Sequence, residues 1–321
     1  MSVLVFTENW DGKFKKLSFE LASYASKVAE MLNTNAVALS IGNVDEGELK
    51  KLGSYGVKKV ISINNDALKN LDNQAYTSVI AEIAQKEGSK VIILSNNNTG
   101  KGLAPRLSVR LKAAIGAGVS HLPLSVTPFT VYKKAFSGNA FAHLVLKTDV
   151  KIITLSQNSF ELIETSNGAS IESATVQVDN VKTQVKDVQK QTGKILITDA
   201  EIVVSGGRGM KSADNWGPLV ELADLLGAAT ACSRPVSDEG WRSHEEHTGQ
   251  TGKIIAPNLY IAIGISGATQ HIAGVSSSKF IVAINTDKDA PIFGAAQYGI
   301  IGDASKVLPK LVEAVKEAKG K

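Results

Sequence analysis

Tyr260–Gly274, YIAIGISGATQHIAG, joins an apolar strand to a helix through almost bare backbone. Tyr260 to Ile263 reads as a buried strand, and Gly264, Ser266 and Gly267 as a tight turn. The segment from Ala268 reads as the start of a helix carrying Gln270 and His271 side by side. A strand that ends in glycine and feeds a helix is the βα unit of a parallel sheet. Its turn lies at the strand's C-terminal end, where doubly wound sheets receive ligands. Gly264 and Gly267 let a ligand approach the backbone, Ser266 offers a hydroxyl and an amide, and the first amides of the helix suit a phosphate. The same turn would serve equally to pack a helix on a sheet, and a single histidine such as His271 is more often structural than functional.

The rhythm of this unit recurs on both sides of it. Upstream, AEIVVSGGRGMK, NWGPLVELADLLG and AATACSRPVSDEG alternate strand and helix; downstream, KFIVAINTD and IIGDASKVLPKLVEAVKEAKG do so again. Near the N-terminus VLVFTE, NAVALSIG, KKVISIN and SKVIILSNNNTGKG read as strands, separated by the helical patterns KKLSFELASYASKVAEMLN, EGELKKLGSYG and NQAYTSVIAEIAQKEG. LAPRLSVRLKAAIGAG reads as a further helix with Pro105 near its first turn. From Ser125 to Gln177 the runs FTVYKKAF, AFAHLVLK, VKIITLS and SIESATVQV follow one another without helices between them, which predicts an antiparallel extension of the sheet. The polar stretch DNVKTQVKDVQKQTGKILITDA then marks a boundary near residue 190. The expected fold is α/β: two doubly wound parallel-sheet domains, residues 1–190 with the antiparallel extension and residues 191–321 without it.

At 321 residues and 43% hydrophobic, the chain can bury two such cores. The net charge of +4 comes from nearly balanced charges with no basic block, which argues against a nucleic-acid partner. Cys232 is the lone cysteine, so a reducing compartment is expected; after ATA it reads as small core filler rather than a nucleophile. The opening MSVLVFTENWDGKFKK fits neither a signal nor a transit peptide, and no run approaches the roughly 18 apolar residues of a membrane span. A cytoplasmic protein without direct membrane insertion is the expectation.

Several segments invite a chemistry and fail it. GQTGKI and NNNTGKG lack the upstream glycine and the Ser/Thr of a Walker loop. VVSGGRGMKSAD has Ser212 where a dinucleotide turn would have its third glycine, although Arg208 among bare amides suits an anion or a flavin edge. Arg234, ahead of Pro235, is expected to be held extended at a strand end with its guanidinium outward; a surface arginine in a loop is the alternative. His244, Glu245, Glu246 and His247 suggest a metal only faintly, and a solvated loop is the expectation there. HTGQTGK, His247–Lys253, offers donors and acceptors or is merely flexible. No nucleophile elbow, HExxH or CxxC is present, so neither catalytic nor metal-ligating residues are expected.

Taken together, VVSGGRGMKS, LADLLGAATACSRP, GQTGKIIAPNLYIAIGISGATQHIAG and IVAINTDKDAPIFGAAQYGIIGD resemble, in order and spacing, the α subunit of the electron transfer flavoproteins, the FixB family. GKGLAPRLSVRLKAAIGAGVSHL and GNAFAHLVLKT extend the resemblance over nearly the whole chain. The resemblance implies a DHS-like C-terminal domain that binds FAD. It also implies an adenine-nucleotide α-hydrolase-like N-terminal domain that cradles a homologous β subunit holding AMP. Such a heterodimer is an electron carrier rather than an enzyme. It takes electrons from flavin dehydrogenases, such as the acyl-CoA dehydrogenases of fatty acid β-oxidation, and delivers them to a membrane-bound quinone reductase, ETF-quinone oxidoreductase.

By the same resemblance His271 matches a histidine at the flavin C2 oxygen, Arg234 an arginine over the ring, and Thr251 a donor to flavin N5 with Gln250 beside it. Gly264, Ser266, Gly267 and Gln270 match pyrophosphate and ribityl contacts, supported by Ser233 and Arg208, while Asn285 and Asp303 match the adenosine end. Cations and donors aimed at the flavin's N1–C2=O edge would raise its potential. Other readings are a bifurcating complex with a second FAD in place of AMP, an NAD- or FAD-dependent oxidoreductase on the same fold, and a colourless adenine-nucleotide-binding regulator.

Overall fold

A computed structural model of the chain describes residues 1–138, 140–166, 168–178, 181, 183–188 and 195–320. It divides into two compact units, Met1–Ala135 with Ala140–Val188, and Phe136–Asn139 with Gln189–Lys321. The boundary expected near residue 190 lies in 189–194, outside the described residues.

The first unit runs β1 (Ser2–Phe6), β2 (Asn9–Trp10), β3 (Lys13–Phe14), α1 (Lys16–Met31), β4 (Asn35–Ile41), α2 (Glu46–Lys51), β5 (Lys59–Ile63), α3 (Asn73–Lys86), β6 (Ser89–Ser95) and α4 (Asn98–Leu111). It continues with β7 (Ala114–Val119), β8 (Ser125–Val126), β9 (Phe129–Ala135), β10 (Ala140–Val145), β11 (Lys151–Leu155) and β12 (Ser170–Ser173). The strand order is β10-β9-β7-β11-β6-β1-β4-β5-β12, with β8 beside β9. Helix α1 covers one face through Leu21, Tyr24 and Val28, and α3 and α4 cover the other through Val79, Ile80, Leu103 and Leu107. That is the two-faced burial a parallel sheet requires.

Two expectations for this unit need correction. The antiparallel extension is smaller than predicted. β8, β9 and β10 are antiparallel, but β11 (from VKIITLS) lies parallel between β6 and β7, and β12 (from SIES) lies parallel beside β5. Ile152, Ile153 and Leu155 are fully buried, so β11 is the continuous apolar run of a central parallel strand. It follows a hairpin instead of a helix, which hid its direction. Similarly, LAPRLSVRLKAAIGAG is not one helix. Asn97 caps α4 by accepting the Gly100 amide at 2.9 Å, so Pro105 sits mid-helix. Lys112 ends α4 in the left-handed region at φ 50, and AIGAGV is β7.

The second unit contains β13 (Ile202–Gly206), α5 (Gly217–Leu226), β14 (Ala229–Cys232), α6 (Arg234–Asp238), β15 (Leu259–Ile263) and α7 (Thr269–Val275). It ends with β16 (Phe280–Asn285), α8 (Ile292–Ala295), β17 (Tyr298–Ile301) and α9 (Ala304–Ala318). The strands run in the order β14-β13-β15-β16-β17, every neighbouring pair parallel. Leu219, Leu222 and Ala223 of α5 and Leu308 and Val312 of α9 fill one face; Val275 of α7 and Ile292 of α8 fill the other. The chain leaves β13 toward one face and β15 toward the other, so their C-terminal ends open the crevice at the topological switch point of a doubly wound sheet.

Candidate functional site

Glycine closes the turns at this crevice. The Gly209 amide donates to the Gly264 carbonyl at 3.0 Å, and the Gly207 amide to the Ile263 carbonyl at 2.8 Å. A Cβ on Gly264, whose φ is +62, would lie 2.7 Å from the Gly209 Cα; one on Gly267, whose φ is +87, would lie 2.4 Å from the Ile292 nitrogen. Protein backbone therefore fills the Cβ directions of Gly264 and Gly267. The glycines are required first by the left-handed backbone and the contact between turns, and the room they leave is for chain rather than ligand.

Around this glycine contact the loops gather polar groups. Arg208, Arg234, Gln250, Thr251, Ser266 and Gln270 are exposed; Ser233 is buried, its amide donating to the Gly206 carbonyl at 3.0 Å. The Gln250 amide donates to the Gln270 carbonyl at 2.8 Å, which ties the GQTGK loop to the start of α7, and Gly249 packs backbone to backbone against Gly274. Ala268, the N-cap of α7, has no side-chain acceptor, and Ser233 at the N-cap of α6 makes no side-chain cap hydrogen bond. His271 already donates its amide to the Ala268 carbonyl at 2.8 Å and Val236 its amide to the Ser233 carbonyl at 3.1 Å, and Pro235 has no N–H, so the donors these starts leave for another acceptor are the amides of Thr269 and Gln270 in α7 and of Arg234 in α6. At seven residues α7 has a small dipole, so its contribution is these local donors.

Three expectations change here. Arg234 is not extended: Ser233 is the extended N-cap, Arg234 opens α6, and its guanidinium faces Asp238 one turn later at 3.3 Å. The SHEEH loop is not simply solvated. Glu246, His247 and Thr248 are buried, Arg242 grips Glu246 with two 2.8 Å hydrogen bonds, and residues 247 and 232 form a β-bridge. Asn285 and Asp303 are already engaged by the protein. Asn285 Nδ2 donates to the Ile265 carbonyl at 2.9 Å; Asp303 caps α9 through Ser305 and pairs with Lys211 at 2.7 Å, which holds its carboxyl well below the usual range. Cys232 behaves as expected, a buried core residue whose thiol burial pushes up to about 12.

His271 is 7% exposed, and its Nε2 lies 2.8 Å from the Tyr260 hydroxyl, while Nδ1 is buried without a well-formed hydrogen bond. Burial lowers its pKa to about 4, against a smaller opposing pull from the Thr248 backbone. The sequence marks Tyr260 only by a phenol within the aliphatic run LYIAI, which needs a polar partner once buried. The unfolded histidine takes its proton near pH 6.5 and the folded one only near 4, so the unfolded state binds more protons between these values and stability falls as pH falls. The second unit is expected to lose up to about 3 kcal/mol across that window. Thermal melts of wild type and His271→Gln from pH 7 to 4 check this: the variant's curve should be the flatter, and equal slopes would contradict it.

Residues 3–181 match the family described as the electron transfer flavoprotein domain, and residues 196–276 the electron transfer flavoprotein FAD-binding domain. The chain is 34% identical over 318 residues to the electron transfer flavoprotein subunit alpha of Bacillus subtilis (strain 168), covering 98% of this chain and 97% of that one. It is 35% identical over 322 residues to Protein FixB of Clostridium saccharobutylicum, covering 98% and 96%. The chain belongs to the electron transfer flavoprotein α-subunit family. A further relative, acryloyl-CoA reductase electron transfer subunit beta of Anaerotignum propionicum, is 33% identical over 354 residues, covering 99% and 96%.

The flavoprotein α-subunit fold thus carries an FAD-binding domain in its second unit. The residues present fit such a group at its phosphate and ring ends. The uncapped start of α7, the exposed cations Arg208 and Arg234, and the His271 Nδ1, which lacks a well-formed hydrogen bond, form a set of donors for an anionic, acceptor-rich ligand. Asn285 and Asp303 supply less, since their side chains already serve the fold. Among the described residues no cluster of metal-ligating side chains occurs, and no helix is long and apolar enough to cross a membrane.

Proposed function

We propose that this α subunit holds FAD across the crevice between the ends of β13 and β15 and, paired with an electron transfer flavoprotein β subunit holding AMP, carries electrons from flavin dehydrogenases to a membrane quinone reductase. The observation that carries the reading is the cluster of exposed donors and cations at the switch point, around the contact of Gly264 with Gly209. In it, the amides at the start of α7, with Ser266 and Gln270, bind the pyrophosphate and ribityl chain, and Arg208 and Ser233 support the phosphates. Gln250, Thr251, Arg234 and His271 line the ring, and Asn285 and Asp303 frame the adenosine. When bound, FAD supplies the redox chemistry at its isoalloxazine ring. The protein's contribution is to fix the ring's orientation, exclude water from it and set its potential through donors and positive charge.

The reading makes residues 1–190 the part that meets the β subunit and the heterodimer a cytoplasmic carrier in fatty acid β-oxidation, with acyl-CoA dehydrogenases as donors. Mixing the purified heterodimer with an acyl-CoA dehydrogenase and its substrate should bleach the flavin absorbance, and extracted nucleotides should contain AMP. Absence of bleaching with several dehydrogenases would remove this partner class. A second reading draws on the name of the Anaerotignum relative: electrons go to a CoA-thioester reductase, with a second FAD replacing AMP in the β subunit. Two FAD per heterodimer in the same extract would favour it.

Arg234→Ala tests the ring assignment. The variant should keep its FAD, while the potential falls by about 20–40 mV, the effect of one partly solvated charge. An unchanged potentiometric titration would take Arg234 out of the site.

A further inference from the structure

Tyr260 and His271 sit in a buried file of polar groups within the second unit. Tyr260 is wholly buried on β15, its hydroxyl 2.8 Å from His271 Nε2. Ser205 on β13 and Thr248 are buried beside the phenol and interact with it. Ser205 Oγ has no other hydrogen-bond partner, and Thr248 donates its own hydroxyl proton to the Cys232 carbonyl at 3.2 Å.

This file has two possible polarities. In one, the Tyr260 hydroxyl donates to Nε2, and the neutral imidazole carries its proton on Nδ1. In the other, Nε2–H donates to the phenol oxygen, and Nδ1 is left as a bare, buried acceptor. The first is favoured on three counts. A phenol is a stronger donor than an imidazole N–H, and an imidazole nitrogen is a stronger acceptor than a phenol oxygen. Ser205, with no other partner, can then donate to the phenol oxygen, so Ser205, Tyr260 and His271 form one directed chain. Finally, the Thr248 backbone favours a proton on the ring, which suits Nδ1–H and would leave a bare Nδ1 facing a carbonyl.

We propose that Tyr260 is a positioning residue for His271: its hydroxyl fixes the ring and its Nδ1–H tautomer, so that His271 stands in the second unit as an oriented neutral imidazole rather than a cation. The part of this concerning the cofactor rests on the FAD reading above; the tautomer does not. It follows that whatever His271 does for a flavin is insensitive to pH near neutrality, whereas the arginines supply the positive charge.

The test is long-range proton–nitrogen correlation spectroscopy of the heterodimer with nitrogen-15-labelled histidine, the His271 signals being assigned by their loss in His271→Gln. His271 should show a protonated Nδ1 and a bare Nε2, unchanged between pH 5.5 and 8, with the Nδ1–H form favoured about tenfold. In Tyr260→Phe, at unchanged circular dichroism, the ratio should fall to near parity. A protonated Nε2 in the wild type overturns the proposal, as does a Tyr260→Phe spectrum identical to the wild type's. If Tyr260→Phe does not fold, the wild-type spectrum alone decides the tautomer. An Nδ1 signal that has the stated tautomer but ignores removal and return of FAD supports the role of Tyr260 and removes His271 from the flavin site, so the two readings fail separately.

Discussion

Replacing Gly264 with alanine should abolish FAD retention by the heterodimer and lower the stability of the second unit by about 3–5 kcal/mol. Two effects combine. At φ +62 an L side chain costs about 1–2 kcal/mol. The new Cβ would also lie 2.7–3.1 Å from three backbone atoms of Gly209, none of which can swing away as a flexible side chain would. The turns after β13 and β15 must separate, and with them the groups on either side of the crevice. Gly217→Ala is the control, because nothing lies within 4 Å of the added Cβ and α5 gains a better helix former. Flavin absorbance per protein and thermal melts report both effects. Full flavin content in Gly264→Ala would show that the contact between the turns does not hold the site together.

The second large effect is expected far from the glycines. Glu20, 1% exposed on α1, accepts the amides of Asn158 at 3.0 Å, Ser159 at 2.8 Å and Phe160 at 3.0 Å. One carboxylate thus closes the turn that follows β11. Glu20→Gln retains the shape but turns an amide NH2 group toward at least one of these N–H donors. Glu20→Ala leaves them all without their partner. The expected losses are about 2–3 and about 3–5 kcal/mol, in that order, in chemical denaturation of the full chain. A loss below about 1 kcal/mol for alanine would mean that water replaces the carboxylate without penalty.

What the sequence revealed and what it hid follow from the range of the forces involved. The βα alternation was legible because periodicity and glycine stops are local, and it extended to the turn at Gly264. The direction of β11 was not, since parallel pairing is decided by partners distant in the chain, β6 and β7, while its immediate neighbour in sequence is the β9–β10 hairpin. The end of α4 is not marked in the sequence, because AAIGAG carries no proline or polar stop; Lys112 makes the turn instead. At the site, the residues offered by the loops were identifiable as types, but their engagement was not. Asp303 looked free to bind a ribose until Lys211 and the start of α9 were seen to hold it, and Arg234 looked extended until α6 was seen to begin with it. Tyr260 was hidden because its role depends on one side-chain partner, His271, across a turn.

The central claim is that the second unit, through the crevice at Gly264, is a redox centre. The most direct measurement is the visible spectrum of this chain co-purified with its β subunit, followed through stepwise dithionite reduction and reoxidation. The account predicts a yellow complex with one FAD per α chain that bleaches and recovers reversibly, and whose colour is lost in Gly264→Ala. A colourless complex that refuses added FAD would contradict it, leaving the glycine turns as packing devices and the exposed arginines without a flavin to serve.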